Sequence, residues 1–332
     1  MKKARWRRTA ACLAALCATA LLAAAFPAFQ NHILRPISLL PPGARKAERR
    51  LITVWNAGEL PGATAWLREQ AAAYEKAHPG DSVWLRRVTG QDIREMDAAP
   101  PDLLTFSAEV SVPEGEAVPL CLSGYALMLP EKGTVTEAPR SLFGVSPTPD
   151  PAVTPRPPQG TWPERFAVDD GFGALALASL GGHTGGCFVP GDEALKRFLN
   201  GEAALLSANQ IVSLARNGAG GQALAAASAT DLVLYAAARE ETGAGGDFLR
   251  FLLSRKAQRA LVSQGLFTVL PGLRLYGADR PALQTLEAAL ARARLAPAVS
   301  WPAIKKEMIL TAQALYDAGE SASGLLDELS GL

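Results

Sequence analysis

What most limits the folds open to this chain is how its hydrophobic period switches between residues 51 and 106. Leu51-Ile-Thr-Val-Trp55 reads as a strand and ends in a turn from Gly58 to Gly62. The period then changes: Ala63, Trp66, Leu67, Ala71 and Tyr74 fall on one face of a helix that His78-Pro79-Gly80 ends. Ser82 to Val88 is a second strand, and after Pro100-Pro101-Asp102 the run Leu103 to Phe106 is a short apolar strand of the kind buried in parallel sheets. Strand, helix, strand and a further strand is the order of an α/β open sheet.

The remainder extends the pattern. Pro119 to Pro130 is an apolar strand interrupted at Ser123-Gly124, and Ser141 to Pro163 is a proline-rich loop or spacer without regular structure. Residues 171 to 190 are glycine-rich and apolar, Asp192 to Leu199 is a helix, and a small-residue run spans Ala203 to Ser207. Asn217 to Gly221 reads as flexible, and Asp231 to Tyr235 as a strand. Two helices close the chain, one lined by Leu283, Leu286 and Leu290, the other by Ile304, Met308, Ala312 and Leu315.

At 332 residues, two units of ordinary size are expected. Charge is nearly balanced, 33 basic residues against 32 acidic, but Lys2, Lys3, Arg5, Arg7 and Arg8 all precede the first acid. Without these five the chain has 28 basic residues, a net of −4, which argues against a nucleic-acid partner. The uncharged run from Thr9 to Phe29 behind those cations fits a signal peptide, and its 21 residues are also enough for a retained anchor. Ala23-Ala24-Ala25 offers a cleavage site, and neither Cys12 nor Cys17 sits in a lipobox. Both alternatives put the bulk of the chain outside the cytoplasm, secreted or anchored to the membrane through residues 1–29, with residues 30–49 as a tether. There Cys121 and Cys187 are either a disulfide or two buried thiols.

The stretch Phe248 to Pro271 reads as a short amphipathic helix, a cap at Ser254, a second helix through Gln258, a stop at Gly265 and an apolar strand. Its wording resembles the C-terminal signature of extracellular solute-binding proteins of ABC importers. Five more segments resemble the same group in the same order: Leu51 to Trp55, Tyr74 to Gly80, Ala99 to Leu104, Val118 to Leu127, and Arg197 to Leu205. The resemblance is to the family 1-like, broadly sugar-binding members with the type II periplasmic-binding fold, here divergent and shortened. It implies two lobes, each an open sheet flanked by helices: residues 50–122 plus 230–275, and residues 123–229 plus 276–332. It also implies a monomer that captures a small polar solute, a carbohydrate among the candidates, between the lobes for ABC permease subunits. The chain departs from the group in its short second lobe, its 7% aromatic content, and Lys305-Lys306 where a ring is common. A membrane-anchored sensory or scaffold protein that keeps the fold without tight binding is the alternative.

Ligands of open α/β sheets meet the loops at the carboxyl ends of strands. That rule selects Asn56 and Glu59 after the first strand, and Ser107 and Glu109 after the third; turn polarity and a helix cap are their plainer roles. Tyr125 lies at the crossover, Asn209 and Gln210 follow the small-residue run, and Trp301 carries an indole able to stack on a sugar face or a cation. Solvent exposure or core packing would equally explain these four. For catalysis, His183 and Cys187 lie in a glycine-rich loop without an orienting third group, and Asp169-Asp170 has no marked partner carboxylate. With three histidines and no Walker lysine, no metal, cofactor or enzymatic activity is expected.

Overall fold

The computed structural model describes residues 49–58, 60–94, 100–112, 116–130, 166–169, 173–180, 186–189, 193–318, 320 and 324–326. The N-terminal segment, the proline-rich loop, Glu59, Asp170 and His183 lie outside them, as do the side chains of Asp169 and Cys187. Residues from Arg49 onward form one compact unit.

Its elements run β1 (Arg50–Ala57), α1 (Ala63–Ala77), β2 (Asp81–Val88), α2 (Gly90–Arg94), β3 (Leu103–Ser107), β4 (Val118–Leu122) and β5 (Tyr125–Pro130). Next come β6 (Phe166–Asp169), α3 (Gly173–Ser179), β7 (Gly186–Val189), α4 (Glu193–Leu199), β8 (Ala204–Ser207), α5 (Ala208–Arg216), β9 (Gly221–Ala226) and β10 (Ala229–Thr230). The chain ends with β11 (Val233–Ala238), α6 (Ala244–Leu252), α7 (Arg255–Arg259), a 3₁₀ turn (Ala260–Gln264), β12 (Phe267–Thr268), α8 (Pro281–Leu290), β13 (Arg294–Leu295) and α9 (Trp301–Asp317).

The first sheet has the order β12-β4-β11-β3-β1-β2 and the second β7-β6-β8-β5-β9, while β10 and β13 pair as a separate two-stranded ribbon. Parallel pairing of β1 with β2 and β3 follows the βαβ reading, and the helix between them buries the expected face, Trp66, Leu67, Ala71 and Tyr74. The Pro-Pro-Asp motif has a structural purpose: Asp102 Oδ2 accepts from the backbone N–H and the hydroxyl of Thr53, fixing the start of β3 against β1. Since β11 runs antiparallel to both β3 and β4, the carboxyl ends of β1, β2, β3 and β4 all face one edge.

The Phe248 to Pro271 block folds as read. Ser254 caps α7, and Gly265 ends the 3₁₀ turn at φ +72°, a left-handed conformation that glycine adopts without strain. Gln258 is fully buried and fully engaged: its Nε2 donates to the carbonyls of Leu120 and Leu252, and its Oε1 accepts from Thr268 Oγ1 and the Val269 amide. One side chain thus joins α6, β4 and β12.

Three expectations change. The glycine-rich residues 171 to 190 contain α3 and β7, and the small-residue run at 203 is strand β8. Strand β9 begins at Gly221, the last residue of the flexible zone at 217–221, and is hydrogen-bonded along β5. Ala, Gly and Leu carry little strand propensity, and here burial between neighbouring strands and helices overrides it. Cys121 is a free, buried thiol, its pKa pushed up by burial.

Among the described residues, the buried apolar side chains form two clusters. One face of the first sheet packs on α1, α6 and the 3₁₀ turn through Ile52, Val54, Trp66, Phe248 and Leu261. Its other face, with Leu104, Phe106, Leu122 and Tyr235, belongs to the same cluster as Leu127, Val168 and Leu205 of the second sheet.

Candidate functional site

The chain passes from one sheet to the other at two adjacent points. Ser123-Gly124 leads from β4 to β5, and Asp231-Leu232 returns from β10 to β11. The crossings are stitched together: the Ser123 amide donates to the Leu232 carbonyl at 2.7 Å, and Thr230 Oγ1 donates to the Ser123 carbonyl at 2.8 Å. Both lie at the edge where the parallel strands end. Ser107, the last residue of β3, is paired there with Leu234, and the next amide, of Ala108, donates to the Val233 carbonyl.

Polar side chains gather at this edge. Lys305 reaches down from α9 to Glu109, in the loop after β3, and to Asp231 Oδ2 at 3.2 Å. Asp231 is only 2% exposed. Burial pushes its carboxyl up to about 6, a rise that the nearby Lys305 ammonium opposes and Glu109 reinforces. The Lys305 pKa is also raised: burial lowers it, but the attraction of Asp231 and Glu109 outweighs that. Ser107 Oγ, Ser123 Oγ, Asp231 Oδ1 and Trp301 Nε1 are buried without a hydrogen-bond partner among the described residues. Such atoms normally find a partner in protein or water, so their grouping at one sheet edge and on one helix is unusual. Trp301 is one turn before Lys305 on the same face of α9.

The eight residues selected from sequence separate clearly. Ser107 ends β3 at this edge, Glu109 is held by Lys305, Trp301 is buried one turn before Lys305 on α9, and Tyr125 is buried just past the first crossing. Asn56 is buried, but its amide donates to Thr64 Oγ1 and its carbonyl accepts from Thr105 Oγ1, which ties β1 to β3 and to the first turn of α1. Gln210 closes a capping box: its Oε1 accepts from the Ser207 amide while Ser207 Oγ accepts from the Gln210 amide. Asn209 is exposed on the same helix, and Glu59 lies outside the described residues. Asp231 and Ser123 were not selected. A lone acid directly before the apolar run of β11 was the available signal, since such a charge must find a partner when buried. Among the described residues, no group of three or more His, Cys, Asp or Glu side chains is placed to hold a metal ion.

Solved structures share this fold. The chain is similar to the cyclic alpha-maltosyl-1,6-maltose binding protein of Arthrobacter globiformis, with a TM-score of 0.53 and 12% identity over 84% of this chain and 96% of that one. It is also similar to the sugar-binding protein MalE of Xanthomonas citri, with a TM-score of 0.51 and 14% identity over 84% and 95%. The GacH receptor of Streptomyces glaucescens gives 0.50 and 13% over 82% and 94%. The chain has the type II periplasmic-binding fold. No protein-family model and no curated protein matches the sequence. In the periplasmic-binding fold of this chain, the two sheets are joined by the stitched crossings, and the polar group lies at their junction. No helix among the described residues is long and apolar enough to cross a membrane.

Proposed function

We propose that this protein is an extracytoplasmic solute-binding protein that captures a small polar solute where its two sheets meet and delivers it to the permease of an ABC importer. Residues 50–122 with 230–275 form one lobe and residues 123–229 with 276–332 the other, and residues 1–29 serve as signal peptide or membrane anchor. The observation that carries the reading is the set of polar atoms buried without a partner among the described residues, on Ser107, Ser123 and Asp231 at the sheet edge where open α/β folds take ligands and on Trp301 of α9. Glu109 and Lys305 complete the site, and Tyr125 flanks it. Asn56 and Gln210 act as scaffold. The similar structures support binding over catalysis, being two binding proteins and a receptor. Their described ligands, a cyclic maltosyl-maltose and acarbose, make carbohydrate the first class to test.

The test is thermal unfolding of the full-length chain in mild detergent against sugars, amines and oligopeptides. A solute present at 100 times its Kd stabilises by about 2.7 kcal/mol, a rise of several degrees. Substitution Ser107→Ala should reduce that rise. A screen in which no solute shifts the transition refutes the reading.

The alternative, a sensory or scaffold protein without tight transport binding, draws on a separate observation. The ion pair of Lys305 with Asp231 and the apolar cluster shared by both sheets hold them together by the chain's own contacts.

A further inference from the structure

We infer that the Lys305 ammonium is a built-in occupant of this site, and that the solute displacing it carries a primary ammonium group of its own; the inference rests on the solute-binding reading above. Lys305 belongs to α9, which packs on α3, while Glu109 follows β3 of the first sheet and Asp231 is in the return crossing. Its side chain is therefore a tether between the two sheets, 16% exposed and held by two carboxylates.

The charges limit what can replace it. Among the described residues two carboxylates face this ammonium, an excess of one negative charge in that trio. An anionic solute would meet both carboxylates. A neutral solute that displaced Lys305 would leave Asp231, 2% exposed, beside Glu109 with no counter-charge, the arrangement buried acids tolerate least. An ammonium keeps the balance and brings three N–H donors. Lys305 reaches Glu109 and Asp231 Oδ2, and Asp231 Oδ1 is buried without a hydrogen-bond partner among the described residues. A mobile ammonium, free of the constraints of α9, can approach both carboxylate oxygens. The hydroxyls of Ser107 and Ser123 and the Trp301 indole N–H are then available for the rest of the solute.

The experiment starts from Lys305→Ala in the full-length chain, which removes three methylenes and the ammonium. n-Propylammonium replaces what was removed, and n-propanol is its neutral counterpart. The expected result is a saturable rise in the melting temperature of K305A with n-propylammonium and none with n-propanol. Glu109→Gln added to K305A should weaken that response at least tenfold. The wild-type chain should bind n-propylammonium at least tenfold more weakly than K305A, because Lys305 must first leave, and should itself be stabilised by at least one of glucosamine, putrescine and lysine.

An equal response of K305A to amine and alcohol, or none to either, overturns the inference. So does a wild-type chain stabilised by a neutral sugar such as maltose but by none of the three amines, an outcome that leaves the solute-binding reading standing. Should K305A not fold, Glu109→Gln alone serves, as Glu109 is one-third exposed. It should weaken the binding of those amines to the otherwise native chain at least tenfold, and unchanged binding refutes the assignment.

Discussion

Replacing Asp231 by asparagine tests the electrostatics of the site most sharply, because two arguments give opposite signs. Its carboxyl is raised from 3.8 to about 6 because burial, which raises it, outweighs the attraction of Lys305, which lowers it. The folded protein therefore holds this proton more tightly than the unfolded chain does. Stability from this residue is greatest below 3.8 and is lost as pH rises through about 6. At ~1.4 kcal/mol per pH unit, the difference is about 3 kcal/mol at neutral pH. The asparagine side chain keeps the shape and removes the buried charge, and Lys305 keeps Glu109 as a partner. D231N should thus be more stable than wild type at pH 7.5, by up to about 3 kcal/mol, with the advantage gone by pH 4. Urea unfolding of both proteins from pH 4 to 8 measures it. The difference between them cancels the opposite trend of Asp81, Asp92 and Asp247, whose pKa values are lowered by hydrogen bonds, chiefly from Arg50 in the first and last and from Thr89 in Asp92. A D231N protein less stable than wild type at pH 7.5 would show that the pair with Lys305 outweighs burial, and would refute this reasoning.

Three other substitutions and probes have definite outcomes. Gly58 has φ +79°, and a Cβ there would lie 2.1 Å from Ser107 Oγ, so Gly58→Ala should lower stability by about 2 kcal/mol or more and weaken solute binding by moving that hydroxyl. Chemical denaturation and the thermal-shift assay read the two effects separately. Gln210→Ala should remove about 1 kcal/mol through the lost capping box and leave solute affinity unchanged; a tenfold affinity loss would return Gln210 to the site. Cys121, buried and with its thiol pKa pushed up, should resist alkylation in the folded protein and react on unfolding, as followed by mass spectrometry of its peptide.

Sequence showed the first sheet more clearly than the second. The early strands and α1 carry strong, uninterrupted periods, and their Val, Ile, Trp and Leu side chains pack as those periods require. The second sheet is written largely in Ala, Gly and Leu, whose strand preference is weak. The strands β8 and β9 become strands because the β5 backbone lies between them to pair with. For the proposed site, the carboxyl-end rule pointed to Ser107 and Glu109, which the end of β3 places at that edge. It also drew in Asn56, whose polarity serves the hydrogen bonds to Thr64 and Thr105. Gln210 fits the Ser-x-x-Gln capping pattern with Ser207, a local signal that competed with the functional one. Asp231 and Lys305 are 74 residues apart, and only the folded chain brings their charges together.

Hydrogen exchange of the full-length chain, with and without a solute that raises its melting temperature, tests the central claim directly. The account predicts slowed exchange concentrated at Ser107 to Glu109, Ser123-Gly124, Asp231-Leu232 and the first turns of α9. Slowing confined to other surfaces, such as the outer strand β2, with these four segments unchanged, would contradict it.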